Sequence, residues 1–90
     1  EFARVDTGAF GCLALAQDAG RAGGTAPCIL NAANEVANEA FRAGRCSFLD
    51  VERIVAHTLE HMDALPVESL EQLASVDAKA RSLAARQLER

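Results

Sequence analysis

Three polar side chains in one short stretch carry the sharpest chemical pattern of the sequence. His57, Glu60 and His61 match H-x-x-E-H, in which two histidines one helical turn apart bind a zinc ion and the glutamate activates a bound water in an inverted-zincin peptidase. A catalytic zinc also needs a third protein ligand, and the candidates are Glu68, Glu71 and Asp77. None of these has a supporting motif, and three fixed positions often match by chance. The favoured interpretation is therefore the exposed side of a helix.

A second polar group lies in the stretch Ile29–Arg42. Asn31, Asn34, Glu35 and Asn38, here called the Asn face, recur at helical spacing opposite a stripe composed mostly of alanine. Asparagine is a mediocre helix former because its side chain competes for backbone hydrogen bonds. Three carboxamides on one stripe therefore indicate a surface that hydrogen-bonds to something, in this chain or in a partner. The alternative is a solvated face with incidental asparagines.

Length and composition predict one small domain built mainly from aliphatic side chains. Half of the 90 residues are apolar, but there is no Trp or Tyr and there are only four Phe, so Ala, Leu, Val and Ile must form the core. The net charge of −4 gives no electrostatic footprint for nucleic acid or an anionic membrane. No apolar run is long enough to span a bilayer. We therefore expect neither nucleic acid nor a membrane as a partner.

The cysteines and the first residues bear on where the protein works. Cys12, Cys28 and Cys46 are odd in number, widely spaced and without a C-x-x-C pair. This predicts small buried thiols in a reducing cytoplasm rather than a disulfide or a zinc site. The chain begins without Met at Glu1-Phe2, which indicates a piece of a longer protein, although Glu-Phe is also a cloning scar.

Periodicity and caps divide the first half of the chain into two helices. Residues 1–8 lack a helical period and are predicted to be an extended lead-in. The first helix is predicted over 9–22, and Gly23-Gly24 ends it because glycine readily takes the left-handed conformation at a helix terminus. Thr25 is predicted to cap the second helix, which ends at Ala43-Gly44. The glycines precede no nucleotide-binding pattern, so they are read as a helix stop.

The second half is predicted to contribute two more helices. Ser47 opens the third helix with Asp50 in a weak capping box, and its pattern breaks at Leu65-Pro66. Ser69 and Gln72 form another capping box that opens a short turn through Leu73. Ser75 is predicted to cap a last helix from about 76 to the end. Residues 9–90 are therefore predicted to form an all-α, small four-helix bundle-like domain with short loops.

Several of these segments occur in the order and spacing of one enzyme family. They are Phe10-x-Cys12-Leu13-x-Leu15-Ala16, Ala22-Gly23-Gly24, Asn31-Ala32-Ala33-Asn34-Glu35, Ala40-Phe41, Phe48-x-Asp50 and Val76-Asp77-Ala78-x-Ala80-Arg81. The chain resembles the carboxy-terminal domain of the 1-deoxy-D-xylulose 5-phosphate reductoisomerases over nearly all its length. Its Ala/Arg-rich character is similar to the actinobacterial branch of that family.

The resemblance implies a parent enzyme that isomerises 1-deoxy-D-xylulose 5-phosphate and reduces it with NADPH to 2-C-methyl-D-erythritol 4-phosphate in isoprenoid biosynthesis. It implies a cytoplasmic homodimer with an NADPH-binding Rossmann domain, a central catalytic domain holding a divalent metal (Mg or Mn), and this bundle. The motifs of the first two parts are absent here, so no catalytic, cofactor-binding or metal-binding residue can be carried over.

What the resemblance does imply for this chain is a supporting role. Asn31, Asn34, Glu35 and Asn38 are the residues expected to contact the catalytic domain of the parent enzyme. The alternative is a free-standing helical protein-interaction module that uses the same face for docking.

Overall fold

The computed structural model describes residues 19–89 of the chain. Within this range the chain is helical at 19–22 and forms three complete helices, α1 (Ala26–Arg42), α2 (Phe48–Glu60) and α3 (Leu70–Leu88), with no strand. The predicted all-α class is confirmed. The predicted extended lead-in 1–8, the first helix over 9–18 and Cys12 lie outside the described residues.

The turn before α1 is built on two consecutive glycines and a threonine. Gly23 and Gly24 have φ of +69° and +56°, which confirms the predicted helix stop. The predicted role of Thr25 as a side-chain cap is wrong. Thr25 occupies the N-cap position in a helical conformation, and its hydroxyl makes no capping bond because it accepts a hydrogen bond from the backbone N–H of Leu65, at 2.9 Å. Pro27 lies in the first turn, where a missing N–H costs little.

The end of α1 is a Schellman motif centred on glycine. Gly44 has φ of +77°, its N–H donates to the carbonyl of Phe41 at 3.0 Å, and the N–H of Arg45 donates to the carbonyl of Ala40 at 2.8 Å. These bonds satisfy carbonyls that have no partner inside the helix. The predicted end at Ala43-Gly44 is confirmed.

The helix α2 opens with the predicted capping box. The Oγ of Ser47 accepts from the N–H of Asp50 at 3.2 Å, and the Asp50 carboxylate accepts from the N–H of Ser47 at 2.9 Å. The predicted inner face is also confirmed for its buried members, which are Val51, Ile54, Val55 and Thr58. Met62 lies beyond the end of the helix and is partly buried.

The last helix differs from the prediction because it is continuous. Ser69, not Ser75, is the N-cap of α3, and its Oγ accepts from the N–H of Gln72 at 2.9 Å. Ser75 lies exposed inside the helix. Half-buried side chains at Leu73 and Val76 lie on either side of it. A serine inside a helix costs only a few tenths of a kcal/mol to about 0.7 kcal/mol. Packing therefore keeps the two predicted pieces in one helix.

The core sits where α1 contacts both α2 and α3. The alanines of α1 let the neighbouring helices approach closely, and Ala32, Ala33 and Ala37 are completely buried. The larger side chains of the core come from Ile29, Val51, Ile54 and Val55. This arrangement leaves the opposite side of α1, with its asparagines, on the surface.

Candidate functional site

The carboxamides of the Asn face bond to each other one helical turn apart. Asn38 Nδ2 donates to both the side-chain and the backbone oxygen of Asn34, each at 2.8 Å. Asn31 and Asn34 are exposed and Asn38 is half-buried. Because both bonds hold the Asn38 amide group in place, Asn34 and Asn38 present ordered donors and acceptors instead of freely rotating side chains.

Glu35 links the Asn face to α3 through an arginine. Arg81 Nη2 donates to the Glu35 carboxylate, and Arg81 Nε donates to Asp77 Oδ2 at 2.8 Å. Hydrogen bonds to Asp77 and Glu35 raise the pKa of the Arg81 guanidinium further above its usual value. Arg81 was not among the predicted site residues. The i, i+4 spacing of Asp77 and Arg81 is a signal for their ion pair, whereas the bond to Glu35 spans 46 residues and has no local signal.

Together these residues line an open polar concavity of about 420 Å³, formed by Asn34, Glu35, Asn38, Glu39, Arg42 and Arg81. Two carboxylates and two guanidiniums balance in formal charge, and the carboxamides add donors and acceptors. The residues that line the concavity include no Ser, Thr, Cys, His or Lys. Their carboxylates, guanidiniums and carboxamides can form hydrogen bonds with polar groups of a neighbouring surface.

His57, in the last turn of α2, and His61, which follows the helix, stack their rings on each other. The ring centroids of His57 and His61 lie 4.0 Å apart with the planes at 19°, and His61 Nδ1 lies 2.9 Å from the backbone oxygen of His57. Glu60 is exposed as predicted, but His57 is half-buried and its Nδ1 is buried without a hydrogen-bond partner. Residues 19–89 contain no group of three or more His, Cys, Asp or Glu side chains that could hold a metal ion.

The divalent metal implied by the family resemblance belongs to the central catalytic domain, so the described residues are not expected to supply its ligands. The zinc-peptidase hypothesis requires a third ligand beside His57 and His61. None of the three candidates, Glu68, Glu71 and Asp77, forms a metal-binding group with them.

Two cysteines are half-buried and free, namely Cys28 and Cys46. Their thiols point to the carbonyls of Leu73 and Ala37, at 3.7 and 3.8 Å. Burial raises the pKa of both thiols, and the charge of a nearby carboxylate raises it further. Both therefore stay protonated near neutral pH and are poor nucleophiles.

Among the described helices, none is long and apolar enough to cross a membrane.

Comparison with known proteins places the chain in a well-populated group. The family model for the DXP reductoisomerase C-terminal domain matches residues 1–83. The chain is 51% identical to 1-deoxy-D-xylulose 5-phosphate reductoisomerase of Xanthomonas axonopodis pv. citri (strain 306) over 88 residues, covering 98% of the chain and 22% of the relative. It is 53% identical over 91 residues to the enzyme of that name from Methylobacillus flagellatus, covering 99% of the chain and 23% of the relative.

A third relative gives the same picture. The reductoisomerase of Pseudomonas savastanoi pv. phaseolicola is 47% identical over 90 residues, which is 100% of the chain and 23% of the relative. The chain thus spans less than a quarter of the length of these relatives. The resemblance to the actinobacterial branch stays a prediction.

Proposed function

The chain belongs to the DXP reductoisomerase C-terminal domain family, and we propose that it is the supporting domain of a 1-deoxy-D-xylulose 5-phosphate reductoisomerase. In this proposal the whole enzyme converts 1-deoxy-D-xylulose 5-phosphate to 2-C-methyl-D-erythritol 4-phosphate with NADPH, and the bundle packs against its catalytic domain. The domain has no catalytic residue of its own and acts by holding the catalytic domain in shape.

One observation carries this proposal. The match extends over nearly the whole chain at about half identity but covers only 22–23% of each relative. In these relatives the corresponding residues are therefore part of a longer polypeptide. This favours a supporting domain over the free-standing interaction module, which no separate observation supports.

The Asn face is the proposed contact with the catalytic domain. Asn31, Asn34, Glu35 and Asn38 remain on the surface after α1 has packed against α2 and α3, and the last three line the polar concavity. A contact of this composition would be made of hydrogen bonds. Such bonds fix the relative position of the two surfaces and also contribute to the free energy of their association. The Glu35–Arg81 pair would keep the contact surface of α1 fixed relative to α3.

The cofactors and the assembly belong to the same proposal. NADPH and a divalent metal (Mg or Mn) would bind in the parts of the enzyme that precede this domain, and the enzyme would be a cytoplasmic homodimer. The half-buried free thiols at Cys28 and Cys46 are compatible with a reducing compartment.

The full-length enzyme provides the test. We expect Asn31→Ala and Asn34→Ala to make the bundle easier to release by limited proteolysis and to lower NADPH oxidation with the deoxyxylulose phosphate, because contacts across the interface are lost. Ser75→Ala, an exposed change on α3, is the matched control. The free energy of unfolding of the 90-residue chain is measured for the same two variants. If it falls enough to explain their easier proteolysis, the Asn face stabilises this domain internally and does not form the contact.

A further inference from the structure

Three large apolar side chains are exposed where α2 connects to α3. Leu65, Val67 and Leu70, here called the loop patch, are 49%, 53% and 84% exposed. Every residue from 63 to 71 is exposed. Single exposed leucines are ordinary, but three branched side chains within six positions, surrounded by polar residues, are typical of an interaction site.

The backbone that carries the loop patch is held from two sides. Thr25 donates its N–H to the carbonyl of Leu65 at 2.8 Å and accepts from the N–H of Leu65 at 2.9 Å. On the other side Gln72 Nε2 donates to the carbonyl of Pro66 at 3.0 Å, and Gln72 Oε1 accepts from the N–H of Glu68 at 2.7 Å. Because these four backbone groups are bonded within the domain, they hold the part of the loop that carries Leu65 and Val67 in a fixed arrangement. Such preorganisation lowers the entropy lost on binding.

The surroundings of the loop patch are acidic. Residues 54–78 contain five carboxylates and neither Lys nor Arg, so this segment carries more negative charge than the whole chain's net −4. Asp63, Glu68 and Glu71 are the exposed members next to the patch. A complementary surface would place an apolar area against Leu65, Val67 and Leu70, with Lys or Arg at its margin.

We propose that the loop patch is a second docking surface of this domain, and that its occupant is an apolar, basic-edged surface on the preceding part of the same polypeptide. The inference rests on the proposed function, because the relatives contain this additional part of the polypeptide and the 90-residue chain does not match it. More than three quarters of the length of each relative lies outside the match. A large covalently attached partner is therefore available at high effective concentration.

The loop patch and the Asn face differ in the contact that they would make. The Asn face would contribute hydrogen bonds, whereas the patch would contribute most of the apolar area removed from water. Leu70 is the anchor of the patch because it is the most exposed of the three and lies in the first turn of α3. Two surfaces on one partner would fix the orientation of the bundle more firmly than either alone.

Hydroxyl-radical footprinting of the full-length enzyme tests this directly, because it reports the accessibility of single side chains. We expect Leu65, Val67 and Leu70 to be oxidised several-fold more slowly than Leu49, which is 67% exposed at the start of α2 and serves as the internal reference. In a Leu70→Glu variant, Leu65 and Val67 should become as reactive as Leu49. A Leu49→Glu variant, with the same change of charge, should leave Leu65, Val67 and Leu70 oxidised as slowly as in the parent enzyme.

The outcomes separate this inference from the proposed function. If the loop patch is fully reactive while Asn31→Ala and Asn34→Ala still make the bundle easier to release by limited proteolysis, the docking surface is overturned and the supporting role stays intact. Full reactivity of the patch without that effect of the asparagine variants would overturn both. Protection of the patch that disappears on dilution would assign it to a second copy of the protein and would also overturn the inference.

Discussion

Thr25 and Leu65 hold each other by two hydrogen bonds although 40 residues separate them. The N–H of Thr25 donates to the carbonyl of Leu65 at 2.8 Å, and the N–H of Leu65 donates to the Thr25 hydroxyl at 2.9 Å. Thr25 is completely buried. The pair joins the start of α1 to the connection between α2 and α3, so it sets the position of the loop patch.

Loss of the Thr25 hydroxyl should therefore be costly. Thr25→Val keeps the shape of the side chain but leaves the N–H of Leu65 without its acceptor, and we expect it to lower the free energy of unfolding by about 1–3 kcal/mol. Thr58→Val is the matched control. Thr58 is also buried, but its hydroxyl only donates to the carbonyl of Ile54 in the preceding turn, so its loss strands no backbone donor. Urea titration compares the two, and an equal loss in both variants would contradict the role of the Thr25 bond.

Gly24 should tolerate no side chain because of the same contact. A Cβ at this position would overlap the carbonyl oxygen of Leu65, so the loop would have to move. Gly44 has a similar positive φ but open space around it, which makes Gly44→Ala the control for backbone strain, at about 1–2 kcal/mol. Gly24→Ala should lower the midpoint of thermal unfolding clearly more than Gly44→Ala. Equal shifts would mean that the close approach of Leu65 is unimportant.

The alanine contact of α1 should not accept a larger side chain. Ala33 is completely buried against the cluster that contains Val51 and Ile54, so Ala33→Leu should cost about 1–3 kcal/mol through overpacking. Ala78→Leu makes the same change at an exposed position of α3 and should leave stability within about 0.5 kcal/mol of the parent value. Guanidinium titration measures both. Unchanged stability in Ala33→Leu would refute close packing at this site.

The capping box of α2 should make stability depend on pH in the acid range. Hydrogen bonds from Ser47, first from its N–H and then from its hydroxyl, hold the pKa of Asp50 below its usual value of 3.8. A depressed pKa in the folded state means that the stabilisation is complete well above 3.8 and is lost as pH falls through the folded pKa. The difference in unfolding free energy between the parent protein and Asp50→Asn should thus shrink from pH 7 towards pH 2. A difference independent of pH would contradict the role of the carboxylate charge.

Much of the local structure could be predicted because its signals lie within a few residues. The glycines at 23, 24 and 44 end helices through their own backbone freedom, and the Ser47–Asp50 box involves residues three apart. The failure at Ser75 has the same origin. A serine favours a cap but does not enforce one. The half-buried side chains of Leu73 and Val76, on either side of Ser75, favour one continuous helix. The Ser69–Gln72 signal marked the true start.

By itself the sequence determined the all-α class, the bounds of α1 and of the start of α2, and membership of the family, because each depends on local pattern or on similarity along the chain. Tertiary structure alone decided the partners of Thr25 and Glu35, which lie 40 and 46 residues away. It also decided that Arg81 joins the Asn face and that His57 is half-buried with one nitrogen unpaired. The physical reason is that such contacts depend on how helices pack in space, and side-chain spacing within one helix carries no information about which residue of another helix will face it.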